Sequence, residues 1–208
     1  IMKVQIIVCT NRGIDFRFVN CLLHVRHPEI SIAFGVESLI DRSRSVMATK
    51  FLDTDSDICL FIDDDIIDWS IEDINQIVAD VIETKSIVGG CYLIKNADNP
   101  RICALGIDKG AGSFDIGPQD GLVEVKYVAT GFMAIPKKVL KDMAAKIPKV
   151  NAYGDLLMHP FFQPMIHEGI YLSEDYSFCQ RARELGYKIW LDPRIVLGHI
   201  GQFVYNCR

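Results

Sequence analysis

Through residues 2–94, apolar β-type runs alternate with segments of helical spacing, and this alternation constrains the fold more than any other feature. "MKVQIIVCT" (2–10), "EISIAF" (29–34), "DICLFI" (57–62) and "SIVGGCYLI" (86–94) are short and β-branched, as strands are. Between them, "FRFVNCLLHVRHP" stops before Pro28, and "VESLIDRSRSVMATKFL" sets Val36, Leu39, Ile40, Met47 and Phe51 on one helical face. A third helical stretch, "SIEDINQIVADVIETK", carries Ile71, Ile74, Val78, Val81 and Ile82 behind Ser70, a good N-cap. Successive β-α-β units need right-handed crossovers, so the order predicts an α/β fold: a doubly wound, mostly parallel sheet flanked by helices. Ligands of such sheets gather beyond the carboxyl ends of the strands.

The second half is less regular. "RICALG" and "LVEVKYVATGFMAIP" read as strands around a glycine- and aspartate-rich loop (109–121). "KKVLKDMAAK" reads as a helix with Pro136 at its first position. Residues 151–169 have turn residues and exposed-type aromatics without a period, which suits a lid or acceptor loop. "SEDYSFCQRARELG" predicts a helix capped by Ser173 and stopped by Gly186, and "YKIWLDPRIVLGHIG" predicts strands around Pro193. The chain reads as one domain over 1–208, with Ile1 before Met2 and the stop at Arg208 expected of a domain cut from a longer chain.

A formal charge of −5 with no lysine or arginine run argues against nucleic acid as the main ligand. No apolar stretch approaches the roughly 20 residues of a membrane span. Seven cysteines without a C-x-x-C pair suit buried thiols in a reducing compartment, so a cytoplasmic location is expected.

The chemistry concentrates at strand ends. In "CLFIDDDIIDWS" an apolar run stops at Asp63, Asp64 and Asp65, three adjacent charges that repel unless something positive binds them. A hard cation, Mn²⁺ or Mg²⁺, prefers such oxygens; a solvated turn is the plain alternative. Arg44 falls on the apolar face of its helix and needs an anionic partner, either a ligand diphosphate or one of the aspartates. Glu174 and Asp175 open a helix whose dipole favours their charged forms, which suits a general base or simply a helix start. His199 between two glycines, Thr130-Gly131-Phe132, and the aromatics Trp69, Tyr153, Phe161 and Phe162 could serve a ligand or the packing.

Together these segments resemble the GT-A-fold glycosyltransferases and, more narrowly, the amino-terminal domains of chlorovirus enzymes that glycosylate the viral capsid. The likeness rests on "VCTNRG", the arginine of "DRSRSVMATKFL", "LFIDDDI" as a D-x-D motif, "ATGFMAIPKKVL", the x-E-D helix in "LSEDYSFCQRARELGYKIWLDP" and the late histidine of "LGHIG". It departs where Arg44 is followed by Ser45 rather than the asparagine of many relatives. The resemblance implies a GT-A (Rossmann-like) domain with a nucleotide-binding half (about 1–95) and an acceptor and catalytic half (about 96–208). It implies a nucleotide-sugar donor, a UDP-sugar by preference, held by Thr10, Asn11, Arg12, Arg44, Asp63, Asp64, Gly131 and Phe132. Asp63, Asp65 and His199 would hold Mn²⁺ or Mg²⁺, Asp175 would act as base, and Glu174 and Trp69 would bind a glycan or glycoprotein acceptor, with inversion at the sugar. A sugar-phosphate nucleotidyltransferase is the rival enzyme, although "CTNRGIDF" has one glycine where that class has several. A non-catalytic carbohydrate-binding module is the other rival.

Overall fold

The computed structural model describes residues 2–11, 13–96, 98–107, 121–201 and 204–206. In chain order the strands and helices of the first half are β1 (Val4–Thr10), α1 (Phe16–His24), β2 (Ile30–Val36), α2 (Ile40–Phe51), β3 (Ile58–Ile62), β4 (Ile66–Ile67), α3 (Ile71–Thr84) and β5 (Ile87–Cys91). The second half adds β6 (Ala104–Leu105), β7 (Val123–Val125), β8 (Tyr127–Val128), β9 (Phe132–Pro136), α4 (Lys137–Ala144), β10 (Val150–Tyr153) and β11 (Leu156–Met158). It closes with β12 (Met165–His167), β13 (Ile170–Leu172), α5 (Glu174–Glu184), β14 (Ile189–Val196), β15 (Gly198–Ile200) and β16 (Val204–Tyr205).

Seven strands form the central sheet in the order β2-β1-β3-β9-β5-β14-β7. Side chains alternate between two cores. Ile7, Cys9, Cys59, Phe61, Met133 and Ile135 meet α2, α4 and α5 on one face, while Val8, Leu60, Ile62, Phe132 and Ala134 meet α1 and α3 on the other. The sheet is thus buried on both sides, which is why its strands read as unbroken apolar runs.

The expectation of a mostly parallel sheet needs correcting. The β1–β2, β1–β3 and β5–β14 pairings are parallel, but β3–β9, β9–β5 and β14–β7 are antiparallel, so the sheet is mixed in equal measure by pairing. The cause is β9, whose residues Phe132 to Ile135 are apolar throughout and fully buried, so it occupies the middle of the sheet between β3 and β5.

Several local expectations shift for physical reasons. In α2 the buried side is Ser43 to Thr49 and Phe51, while Val36, Leu39 and Ile40 are exposed: Val36 lies on the edge strand and Leu39 is the N-cap, so neither continues a helical stripe. Ser70 does cap α3, with a reciprocal capping box to Asp73. Pro136 is the N-cap of α4 rather than its first residue. Ser173 precedes α5 without a side-chain cap bond, because its hydroxyl donates to Asp175 instead.

Residues 151–169 form most of two hairpins, β10–β11 and β12–β13, with Gly154 and Gly169 at positive φ in their turns. Phe161 and Phe162 are fully buried, Phe162 stacking on Phe178 at 4.4 Å, so both are packing residues and not sugar platforms. Residues 109–120 of the expected loop lie outside the described residues. Among the described residues six cysteines are buried and none is in a disulfide, and burial pushes the Cys9 thiol up to about 11. Among the described residues no helix is long and apolar enough to cross a membrane.

Candidate functional site at the ends of the first and third strands

From β1 the chain crosses out to β2, then returns over α2 to β3 on the other side of β1. Connections leaving adjacent strands in opposite directions open a crevice between their carboxyl ends. The triple aspartate stands at that point. A tight turn follows β3, with the Asp63 N–H donating to Gly131 O (3.0 Å) and the Ile66 N–H to Asp63 O (3.0 Å). It sends the three carboxylates to three different elements.

Asp64 turns back to β1 and accepts from Thr10 Oγ1 at 2.6 Å. Asp63 faces α2, where Arg44 Nη2 donates to both of its oxygens (2.7 and 2.9 Å). Arg44 Nη1 reaches on to Glu174 Oε1 at 2.5 Å, so one arginine, 4% exposed, ties the strand end to the start of α5. Burial opposes its charge, and the two carboxylates outweigh it. Its Nε is buried with no hydrogen-bond partner among the described residues.

Asp65 turns the other way. Antiparallel pairing of β4 with β15 sets His199 opposite Ile66, and the Ile200 N–H donates to Asp65 O at 2.8 Å. This brings His199 Nε2 within 3.5 Å of Asp65 Oδ1. His199 Nδ1 lies 2.7 Å from Leu93 O, and a carbonyl only accepts, so Nδ1 carries the hydrogen and Nε2 is the atom presented to Asp65. Glycine is needed just before it: a Cβ on Gly198 would sit 2.7 Å from Asp68 Oδ2. The Lys95 ammonium holds Asp65 Oδ2. Burial pushes the Asp65 carboxyl up, yet its contacts with His199 and the Lys95 ammonium prevail and hold it at about 2.

Glu174 feels the opposite balance. Burial and then the neighbouring Asp175 raise it above the usual carboxylate range, against the pull of Arg44. Asp175 curls back at the helix start, its Oδ1 accepting from Ser173 Oγ and from the Tyr176 N–H. A cleft of about 210 Å³ lined by Thr10, Asn11, Glu37, Ser38, Arg44 and Asp63 to Asp65 occupies the crevice. A second hollow of about 490 Å³, lined by Gly13, Asp15, Lys95 and Gly201, shares Asp64 and Asp65 with it.

Thr10, Asn11, Arg44, Asp63, Asp64 and Asp65 line the crevice, Glu174 joins it through Arg44 and His199 through Asp65, while Arg12 lies outside the described residues. Others do not face the crevice. Trp69 is 3% exposed, donates to Ile66 O and packs edge-on against Phe18, so it belongs to the core and not to an acceptor surface. Phe132 is fully buried beneath the site, and Gly131 marks a tight backbone passage: its N–H donates to Tyr92 Oη, and a Cβ there would lie 2.4 Å from that atom.

The expected metal set also changes. Among the described residues no three His, Cys, Asp or Glu side chains form a metal-holding group, and Arg44 donates to both oxygens of Asp63. Asp65 and His199 remain as a converging oxygen and nitrogen. A hard divalent cation that draws most of its ligands from phosphate and water fits that pair. Lys95, Tyr92, Glu37 and Ser38 were not anticipated. None of the four carried a periodic signal; Lys95 lies four residues past β5, whose end leads toward the crevice.

No family model matches the chain, and no curated protein matches it. Among solved structures, one described as "Crystal Structure of A197 from STIV" is similar, with a TM-score of 0.66 and 16% identity over 96% of this chain and 86% of that one. At that identity the likeness carries the fold: an α/β domain with a seven-stranded mixed sheet flanked by helices.

Proposed function

We propose that the chain is a metal-dependent, inverting glycosyltransferase of the GT-A fold, moving a hexose or deoxyhexose from a UDP-sugar to a hydroxyl of a glycan or glycoprotein. One observation carries the reading: Asp65 and His199 converge at 3.5 Å in the switch-point crevice, with His199 oriented by a carbonyl behind it. A histidine anchored through one ring nitrogen and facing a carboxylate with the other is how proteins prepare a metal ligand. The buried thiols favour a cytoplasmic setting.

On this reading Thr10, Asn11 and Asp64 hold the nucleoside, while Asp65 and His199 would hold Mn²⁺ or Mg²⁺. When bound, that cation supplies Lewis-acid neutralisation of the departing diphosphate. Arg44 fixes Glu174 at the start of α5, which leaves Asp175 as the carboxylate that accepts the acceptor hydroxyl's proton. The acceptor oxygen forms its bond to the anomeric carbon as the bond to UDP breaks on the opposite face, and configuration inverts.

Arg44 also favours a second reading, a non-catalytic sugar-binding module, since it engages both Asp63 and Glu174. Calorimetric titration of UDP with and without Mn²⁺, followed by donor hydrolysis over a UDP-sugar panel, separates the two. Mn²⁺-dependent UDP binding lost in Asp65→Ala, together with slow donor hydrolysis lost in Asp175→Asn, supports the enzyme. Binding without hydrolysis supports the module, and no binding of UDP, GDP or dTDP sinks both nucleotide readings.

A further inference from the structure

We infer that Lys95 is a built-in counter-cation that leaves Asp65 when a divalent cation binds and then holds the phosphate groups of the nucleotide. This rests on the glycosyltransferase reading and deepens it. The Lys95 ammonium is on Asp65 Oδ2, the same carboxylate whose Oδ1 faces His199 Nε2. Lysine and a divalent cation therefore address one carboxylate, and two cations cannot both approach it closely without mutual repulsion.

The segment after β5 is built for this role. Tyr92 Oη accepts from the Gly131 N–H beneath the aspartate turn, Leu93 O fixes His199 Nδ1, and Lys95 follows two residues on. The lysine stem runs beside Gly201, where an added Cβ would lie 2.9 Å from Tyr205 Cε2 and 3.3 Å from Lys95 Cδ. Glycine there leaves room for the stem, and the 34% exposure of the side chain leaves its head a path into the hollow it lines beside Asp64 and Asp65. A flexible four-carbon arm with a compact charge suits such a move better than the rigid fork of arginine.

The test is calorimetry on the intact chain with MnCl₂ alone, and with UDP or inorganic pyrophosphate at saturating Mn²⁺, for wild type, Lys95→Met and Lys95→Gln. Both variants should bind Mn²⁺ alone about tenfold more tightly, since a competing charge is gone, and should bind UDP and pyrophosphate about tenfold more weakly. Affinities in both variants within about twofold of wild type, with Mn²⁺-dependent UDP binding intact, would overturn the role of Lys95 and leave the glycosyltransferase reading standing. Failure of wild type and both variants to bind Mn²⁺ or UDP would overturn the two together. Melting temperatures near wild type confirm that the comparison is between folded chains.

Discussion

Away from the crevice, Asp80 on α3 and Asp192 on β14 are 2% and 0% exposed and share a single guanidinium. Arg194 donates to Asp80 Oδ1 at 2.9 Å and to both oxygens of Asp192, and Gln76 adds a bond to Asp80 Oδ1, but Asp80 Oδ2 is buried with no hydrogen-bond partner. Burial and then the adjacent Asp192 push the Asp80 carboxyl up to about 7, whereas Arg194 holds Asp192 low despite its burial. Asp80 so raised keeps its proton in the fold and loses it in the unfolded chain between its ordinary value of 3.8 and about 7, so stability falls as pH climbs through that window. Asp192 acts below the window, its contribution being lost only as pH falls past the ordinary carboxylate range. About three pH units at about 1.4 kcal/mol per unit caps the Asp80 effect near 4 kcal/mol. Arg194, 42% exposed, screens part of it, so about 2 kcal/mol is expected. Asp80→Asn keeps Oδ1 as acceptor and offers an N–H where the carboxyl proton sat. Urea midpoints at steps from pH 5 to pH 8 should fall for wild type and stay nearly level for the variant, the histidine background cancelling in the difference. Equal slopes for the two proteins would refute the proton held on Asp80.

Substitutions at three other positions probe the frame of the site. Arg44→Met strands the half-buried Asp63 and Glu174 carboxylates and should cost about 2–3 kcal/mol in urea denaturation, less than breaking a fully buried pair, and Arg44→Lys should recover only part because it cannot fork to both. Phe162→Ala removes a ring stacked on Phe178 and edge-on to Phe61, and should cost about 3–5 kcal/mol by the same assay without changing UDP affinity per folded molecule. Gly131→Ala drives a methyl into Tyr92 Oη and displaces the carbonyl that holds Asp63; a UDP affinity equal to wild type would show that the aspartate turn tolerates the shift.

The strands and helices of the first half were legible because each is a short periodic run closed by a turn residue, from "MKVQIIVCT" to "SIVGGCYLI". The place of β9 was not, since strand order in a sheet depends on which surfaces remain to be covered and not on local pattern. At Arg44 the reading reached the right burial through a stripe that does not exist, for its neighbours Ser43 and Ser45 are buried too and carry no apolar signal. Trp69 misled in the opposite sense, since an amphipathic aromatic looks the same in a string whether it faces sugar or core, while Phe161 and Phe162, open between ligand and packing in the sequence, are packing. Lys95 escaped because a lone lysine has no periodicity and its partner lies 30 residues away.

Three consecutive aspartates are stable here because the turn after β3 spreads them, so that each meets its own donor: Arg44 for Asp63, Thr10 for Asp64 and Lys95 for Asp65. The repulsion expected from their adjacency is thus converted into three tethers that tie α2, β1 and the segment after β5 to one strand end. On the proposed function this balance has a consequence for binding order. A nucleoside diphosphate arriving alone meets carboxylates at Asp63 to Asp65, and a divalent cation arriving alone meets the Lys95 ammonium. Arriving together, each removes the obstacle to the other, so their affinities are coupled by one factor in both directions. The internal ion pairs are then what makes the crevice select the metal-bound nucleotide over either component.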